Sequence, residues 1–76
     1  MKTVSILLDT IEKVKNFVNT VAPLDGDIDL VSSRYLVDAK SIMGIFSLDI
    51  TKPLTLQIHD PETAERLLPL IQDLLV

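Results

Sequence analysis

Apolar and polar residues alternate along this chain with two different periods, and each period predicts a kind of element. Residues 3–8, TVSILL, are short, apolar and rich in β-branched side chains, which is typical of a strand. Asp9 and Glu12 then form a pattern that resembles a helix capping box, although Thr10 is an equally good cap. Pro23 ends the helix that follows. Its predicted buried face recurs at helical spacing and consists of Ile11, Val14, Phe17, Val18 and Val21.

The middle of the chain predicts an antiparallel hairpin. Asp25 and Gly26 are a turn signal, and residues 27–31 alternate with Ile28 and Leu30 on one face. After a short polar stretch, residues 35–39 form another strand candidate. Two strands this close in sequence are best joined as a hairpin.

A short helix is predicted to begin at Ser41. Serine is a common N-cap because its hydroxyl accepts a hydrogen bond from the first helical turn. Ile42, Met43 and Phe46 follow it at helical spacing, and residues 47–52 are predicted to form a loop. A helix this short cannot bury every side, so we expect Met43 or Phe46 to be exposed, and an exposed apolar patch usually marks a contact surface.

The last third of the chain predicts a strand and then a helix. Pro53 starts the strand, which covers residues 54–58, and Asp60 with Pro61 forms a strong helix start. Pro69 lies within the helical stripe and should bend or break the helix there. The apolar residues of that stripe are Ala64, Leu67, Leu68, Ile71, Leu74 and Leu75.

These elements predict one α+β domain over residues 1–76, in the order βαββαβα, with helices packed on one face of a four-stranded sheet. A 76-residue chain suffices for one small domain, and its 47% hydrophobic residues supply a core. There is no cysteine, which excludes disulfides and thiolate metal sites. The net charge of −4 argues against nucleic-acid binding.

Membrane association is not expected either, because no apolar run approaches the ~18 residues of a membrane span. The first eight residues lack the length and cleavage site of a signal peptide, so a cytoplasmic location is the simplest expectation. We find no nucleophile–base pair, metal cluster or glycine-rich phosphate loop, so we expect neither an enzyme nor a cofactor.

Two polar groupings have more than one interpretation. His59 next to Asp60 suggests an acid–base pair, but a single histidine at a strand–helix junction is more often solvated or a local hydrogen-bond donor. Asp25, Asp27 and Asp29 superficially resemble alternate Ca²⁺ ligands, but the rest of a calcium loop is missing, and a turn with solvated charges fits better.

The nonapeptide 40–48, KSIMGIFSL, resembles the regulatory-serine motif of HPr, the phosphocarrier of the bacterial sugar phosphotransferase system. Chain length, element order and the mid-chain position of the motif are also similar. The resemblance implies an open-faced β-sandwich with a mostly antiparallel four-stranded sheet. It further implies that Ser41 is a site of regulatory phosphorylation and that Ile42, Met43 and Phe46 belong to a partner-binding surface.

The same resemblance implies that the phosphocarrier site is degenerate. In HPr a phosphoryl-accepting histidine starts the first helix, with arginine two residues later and then proline. Counted back from Ser41 without gaps, these positions are Thr10, Glu12 and Lys13. Threonine has no nucleophilic imidazole nitrogen, and Glu12 would repel a phosphoryl group, so histidine phosphocarrier activity is not expected.

Two functions therefore remain as hypotheses. The first is an HPr-like regulatory protein whose partner is an HPr kinase or a transcriptional regulator of carbon catabolite repression, as the resemblance implies. The second is an interaction module without phosphorylation that uses the same apolar patch, for example to dimerise. Either function is compatible with a monomer or a weak homodimer.

Overall fold

The computed structural model describes residues 1–76, which form a four-stranded sheet covered on one face by three helices. Strands β1 to β4 span Lys2–Ile6, Ile28–Ser32, Tyr35–Asp38 and Leu54–Ile58. Helices α1 to α3 span Ile11–Val21, Ile42–Phe46 and Pro61–Leu67. The predicted order βαββαβα and the α+β class are confirmed.

The strands lie in the order β1-β4-β2-β3, and all neighbours are antiparallel. Strands β2 and β3 form the predicted hairpin, whereas β4 inserts between β1 and β2. In register, Lys2 of β1 lies opposite Ile58 of β4, which lies opposite Ile28 of β2. Local sequence patterns do not specify this insertion, because it brings together strands that are far apart along the chain.

The core lies between the sheet and the helices. Alternate strand residues point into it, as the period of two requires, and the other sheet face is open to solvent. Phe17 is its largest side chain, and Ile45 is the fully buried residue of α2. The fully or almost fully buried sheet residues are Ile6, Ile28, Leu30, Leu54, Leu56 and Ile58.

Helix α1 differs from its prediction at its first turn. Of the two predicted caps Thr10 is confirmed, because its Oγ1 accepts the Lys13 N–H at 3.1 Å, and the Asp9–Glu12 capping box is wrong. Asp9 instead pairs with the Lys13 ammonium at 3.0 Å. Ile11, predicted in the buried stripe, is exposed, because the core begins only one turn later at Val14.

The last helix is shorter than the apolar stripe predicted. Helix α3 ends at Leu67, and two turns of 3₁₀ helix follow at Leu68–Leu70 and Gln72–Leu74. Pro69 lies in the first of these turns, as expected for a residue that cannot continue an α-helix. Ile71 and Leu74 are still buried, while Leu68 and Leu75 are only half-buried.

The redirected C-terminus lies along strand β1. The N–H of Leu7 donates to the carbonyl of Leu74 at 2.9 Å, and that of Val76 donates to Ser5 at 3.1 Å. Strand β1 begins one residue earlier and ends two residues earlier than the predicted 3–8, and Leu8 is buried where the chain turns toward α1. No helix of the chain has the length and apolar character to cross a bilayer.

Candidate functional site

Helix α2 and its cap form the site that the sequence singled out. The Oγ of Ser41 accepts the N–H of Gly44 at 3.1 Å, which confirms Ser41 as the N-cap. The N–H of Ser41 donates to the carbonyl of Asp38 at 3.0 Å, so strand β3 leads directly into the helix. The serine is half-buried, and its hydroxyl lies at the positive end of a short helix.

Gly44 lets α2 lie close to strand β3. A Cβ on Gly44 would meet the Ser41 Oγ at 3.2 Å and the Val37 Cβ at 3.3 Å, closer than ordinary van der Waals contact. Glycine therefore keeps the first turn of the helix compact around the serine hydroxyl.

An exposed apolar surface, which consists of Ile42, Met43 and Phe46, follows the serine. Met43 is 78% exposed and Phe46 is 39% exposed, so the predicted exposure is confirmed. Ile42 is half-buried and packs on the edge of the core, while Ile45 on the opposite side of the helix is fully buried. One side of α2 thus holds it in place and the other is available for contact.

Lys40 ties the start of α2 to the loop between α1 and β2, a role that no sequence pattern predicted. Its ammonium donates to the carbonyl oxygens of Leu24 and Gly26. Its backbone N–H donates to the Oδ1 of Asp38 at 2.9 Å. These bonds fix the peptide immediately before Ser41, and the lysine charge is directed at backbone carbonyls.

The N-terminus of α1 contains the other residues that the sequence singled out. Thr10 is exposed, and its hydroxyl is already bonded as the helix cap. Glu12 is exposed in the first turn, and Asp9 lies one residue before the cap. This helix end therefore has no imidazole and has two carboxylates, of which Asp9 is paired with the Lys13 ammonium. The Glu12 carboxylate is the charge that opposes a phosphate group there.

His59 lies at the opposite end of the sheet from Thr10, because β1 runs from its pairing with Ile58 at one end toward α1 at the other. Its Nε2 is 2.8 Å from the Oδ2 of Asp29, on the neighbouring strand β2. The interpretation as a pair with Asp60 is wrong, since the Asp60 carboxylate caps α3 by accepting the N–H of Glu62. Asp29 lies 30 positions from His59 in sequence, so the residues next to His59 could not predict this contact.

The three aspartates before and within β2 make three different contacts and do not share a ligand. The carbonyl of Asp25 accepts the Thr63 hydroxyl, the carbonyl of Asp27 accepts the His59 N–H, and the carboxylate of Asp29 contacts the His59 ring. No group of three histidine, cysteine or acidic side chains has an arrangement that could hold a metal ion. These residues organise the turns at one end of the sheet.

Neither a scan of protein-family models nor a search of curated protein sequences finds a match to this chain. Solved structures do match. HPr-C-His from Thermoanaerobacter tengcongensis is 28% identical with a TM-score of 0.77. A phosphocarrier protein HPr from Bacillus anthracis strain Ames is 28% identical with a TM-score of 0.76. Each alignment covers 96% of this chain and 93% of the other. The chain therefore has the HPr fold.

Proposed function

We propose that the chain is an HPr-like regulatory protein of the bacterial phosphotransferase system, that it acts by binding other proteins, and that phosphorylation of Ser41 controls this binding. The observation that carries the proposal is the position of the Ser41 hydroxyl at the first turn of α2, next to the exposed Met43 and Phe46. A regulatory site needs this juxtaposition of a modifiable group with a contact surface.

Phosphorylation would change both the charge and the capping of α2. The Ser41 oxygen attacks the terminal phosphorus of ATP, ADP leaves, and the hydroxyl proton passes to a base of the kinase. The product carries about −1.5 to −2 charges at the positive end of the helix. It would strengthen the interaction with the N–H groups of the first turn and place an anion beside the apolar surface. A partner would then recognise an anionic and an apolar feature together.

The α1 N-terminus supports a role without histidine phosphocarrier activity. Thr10 is engaged as a cap, and the Glu12 carboxylate in the first turn repels an incoming phosphoryl group. The only histidine of the chain, His59, lies at the other end of the sheet and is bonded to Asp29. The chain would accordingly be a cytoplasmic binding protein and not an enzyme.

The test of the switch is the intact mass of the protein after incubation with ATP and a purified HPr kinase. We expect one added phosphoryl group on the wild type and none on the Ser41→Ala variant. Ser47→Ala is the matched control, because Ser47 lies at the other end of the same helix, and it should be modified like the wild type. A parallel reaction with phosphoenolpyruvate and its phosphotransferase enzyme should leave the mass unchanged. Modification of Ser41→Ala, or transfer from phosphoenolpyruvate, would contradict the proposal.

A phosphorylation-independent interaction module is the second candidate function. The observation in its favour is that the Ser41 hydroxyl already has a structural task, because it accepts the Gly44 N–H.

Calorimetric titration with a purified carbon-catabolite regulator distinguishes the two candidate functions. If the regulatory function is right, only the phosphorylated chain binds the regulator. Its Met43→Asp variant should then bind at least about tenfold more weakly, since a charge in a desolvated apolar contact is costly. Equal binding by the unmodified chain would favour the second candidate. Leu70→Asp, at an exposed position outside α2, is the control.

A further inference from the structure

Strand β3 is the uncovered edge of the sheet. It pairs with β2 on one side and with no strand on the other. The opposite edge, strand β1, is partly covered by the C-terminus through the bridge between Ile6 and Leu75. An uncovered edge strand presents unpaired backbone groups that can add a strand from another chain.

The hydrogen-bond pattern shows which backbone groups of β3 face outward. The N–H of Ala39 donates to the carbonyl of Ile28 at 2.9 Å, so these two residues form a hydrogen-bonded pair. Such pairs alternate along an antiparallel ladder, so Val37 bonds inward to Leu30, while the N–H and C=O groups of Leu36 point to the free edge. The Asp38 carbonyl points the same way but already accepts the N–H of Ser41, so the outward bonds to a second strand are those of Leu36.

The side chains of β3 are unusually apolar for an exposed edge. Tyr35 is 64% exposed and Leu36 is 60% exposed. Leu36 lies opposite Val31 of β2 on the open face of the sheet, away from the helices. The charged residues Arg34 and Asp38 lie at equal spacing on either side of Leu36.

We propose that β3 pairs antiparallel with β3 of a second copy of this chain, with the two-fold axis at Leu36. Leu36 of each copy then exchanges both backbone hydrogen bonds with its counterpart. This register places Arg34 of each copy opposite Asp38 of the other and Tyr35 opposite Val37, so opposite charges and apolar groups meet at every position. A symmetric interface must be complementary to itself, and the spacing of these residues meets that condition. The two sheets become one sheet of eight strands.

The dimer should be weak. A four-residue strand contributes far less than the ~800 Å² per partner of a standard interface, so we expect a dissociation constant on the order of 10 to 1,000 µM. Neither Ser41 nor the apolar surface of α2 takes part, so this proposal goes beyond the proposed function and does not depend on it.

Sedimentation equilibrium from about 10 µM to about 1 mM tests the association, a range set by the expected dissociation constant. The weight-average mass of the wild type should rise from that of the 8.4 kDa monomer toward that of the dimer. Leu36→Lys should remain monomeric, because it places two like charges directly opposite each other on the two-fold axis. Leu70→Lys is the matched control, since Leu70 is also 60% exposed but lies in the first 3₁₀ turn, and it should associate like the wild type.

Charge complementation tests the register. Arg34→Glu should weaken self-association at least about tenfold, because it faces Asp38 of the second copy with a like charge. Asp38→Lys should weaken self-association in the same way, because it places a positive charge opposite Arg34 of the second copy. An equimolar mixture of the two variants should associate again, since each charge then meets its opposite. Circular dichroism of each variant alone checks that it folds, because Asp38 also binds the Lys40 N–H.

Hydrogen exchange of single amides locates the contact without any variant. The Leu36 N–H should exchange quickly in dilute protein and more slowly as the concentration rises, while the inward-facing Val37 N–H is protected at all concentrations. A monomer throughout the concentration range would overturn the proposal. So would a dimer that Met43→Asp abolishes and Leu36→Lys does not.

Discussion

Ser33 is the residue whose backbone departs most from what its side chain prefers. It is the first central residue of the turn between β2 and β3, and its φ of 55° is the only positive value at a non-glycine residue. A positive φ at this position of a two-residue hairpin turn is typical of type II′, which favours glycine. The hairpin therefore holds a serine in the left-handed region, where an L side chain costs about 1 kcal/mol.

Ser33→Gly should consequently be neutral or stabilising, by up to about 1 kcal/mol, even though glycine raises the entropy of the unfolded chain. Ser32→Gly is the control, because Ser32 has ordinary strand geometry in β2 and the change there should destabilise by about 0.5 to 1 kcal/mol. Urea unfolding of both variants measures the difference. A larger loss for Ser33→Gly than for Ser32→Gly would contradict this account of the turn.

Asp49 lies just after α2, and its pKa is lowered from the ordinary value for an aspartate. The Thr51 hydroxyl donates to its Oδ1 at 2.5 Å and the Thr51 N–H at 3.1 Å, and these bonds lower the pKa of the carboxyl. A pKa lower in the folded than in the unfolded state contributes stability above the unfolded value, near 4, that is lost as the pH falls through the folded value. Asp49→Asn should therefore flatten the decline of unfolding free energy below pH ~4. Urea unfolding of the wild type and of this variant across the acidic pH range measures the difference.

At the scale of elements, the buried hydroxyl of Thr63 connects α3 to the turn before β2. It donates to the carbonyl of Asp25 at 2.7 Å and lies 3.0 Å from the Oδ2 of Asp60. Gly26 makes this approach possible, because its φ is +94° and a Cβ there would come within 3.0 Å of the hydroxyl oxygen. One side-chain hydroxyl thus holds a helix start against a turn that is distant in sequence.

Thr63→Val should lower the free energy of unfolding by about 1 to 2 kcal/mol, since it keeps the side-chain shape but leaves the Asp25 carbonyl without its donor. Thr55→Val, on the exposed face of β4, is the matched control and should change stability by less than about 0.5 kcal/mol. Urea unfolding at neutral pH measures both. Equal effects at the two positions would show that the hydroxyl does not connect these elements.

At the scale of the whole molecule, a single small core carries the stability. A domain of this length is expected to have only about 4 to 11 kcal/mol of unfolding free energy. Phe17 fills the centre of the core from α1, whereas Ile11 on the same helix is exposed. Phe17→Ala should therefore cost about 3 to 5 kcal/mol and leave the domain barely folded, while Ile11→Ala should cost less than about 0.5 kcal/mol. Thermal unfolding by circular dichroism tests the pair, and comparable losses would contradict the assignment of the core.

Much of this fold is predictable from the sequence, because its signals lie within a few residues of what they specify. Alternation along β4, the Asp60–Pro61 start of α3 and the Ser41 cap of α2 depend on local backbone geometry, and the structure has each of them. The exposure of Met43 is predictable for the same reason, since a short amphipathic helix has two sides. Thr10 and Glu12 lie at the start of α1 as the resemblance to HPr implies.

Only the tertiary structure decided how these elements meet. The insertion of β4 between β1 and β2 depends on which buried faces fit together. The contacts of Lys40 with Leu24, His59 with Asp29 and Thr63 with Asp25 join residues 16, 30 and 38 positions apart. Periodicity gives the direction of a side chain relative to its own element but not the element that lies opposite. The sequence by itself therefore determined the elements, their order and the place of Ser41 beside an exposed surface, and packing decided which elements meet and left the free edge at β3.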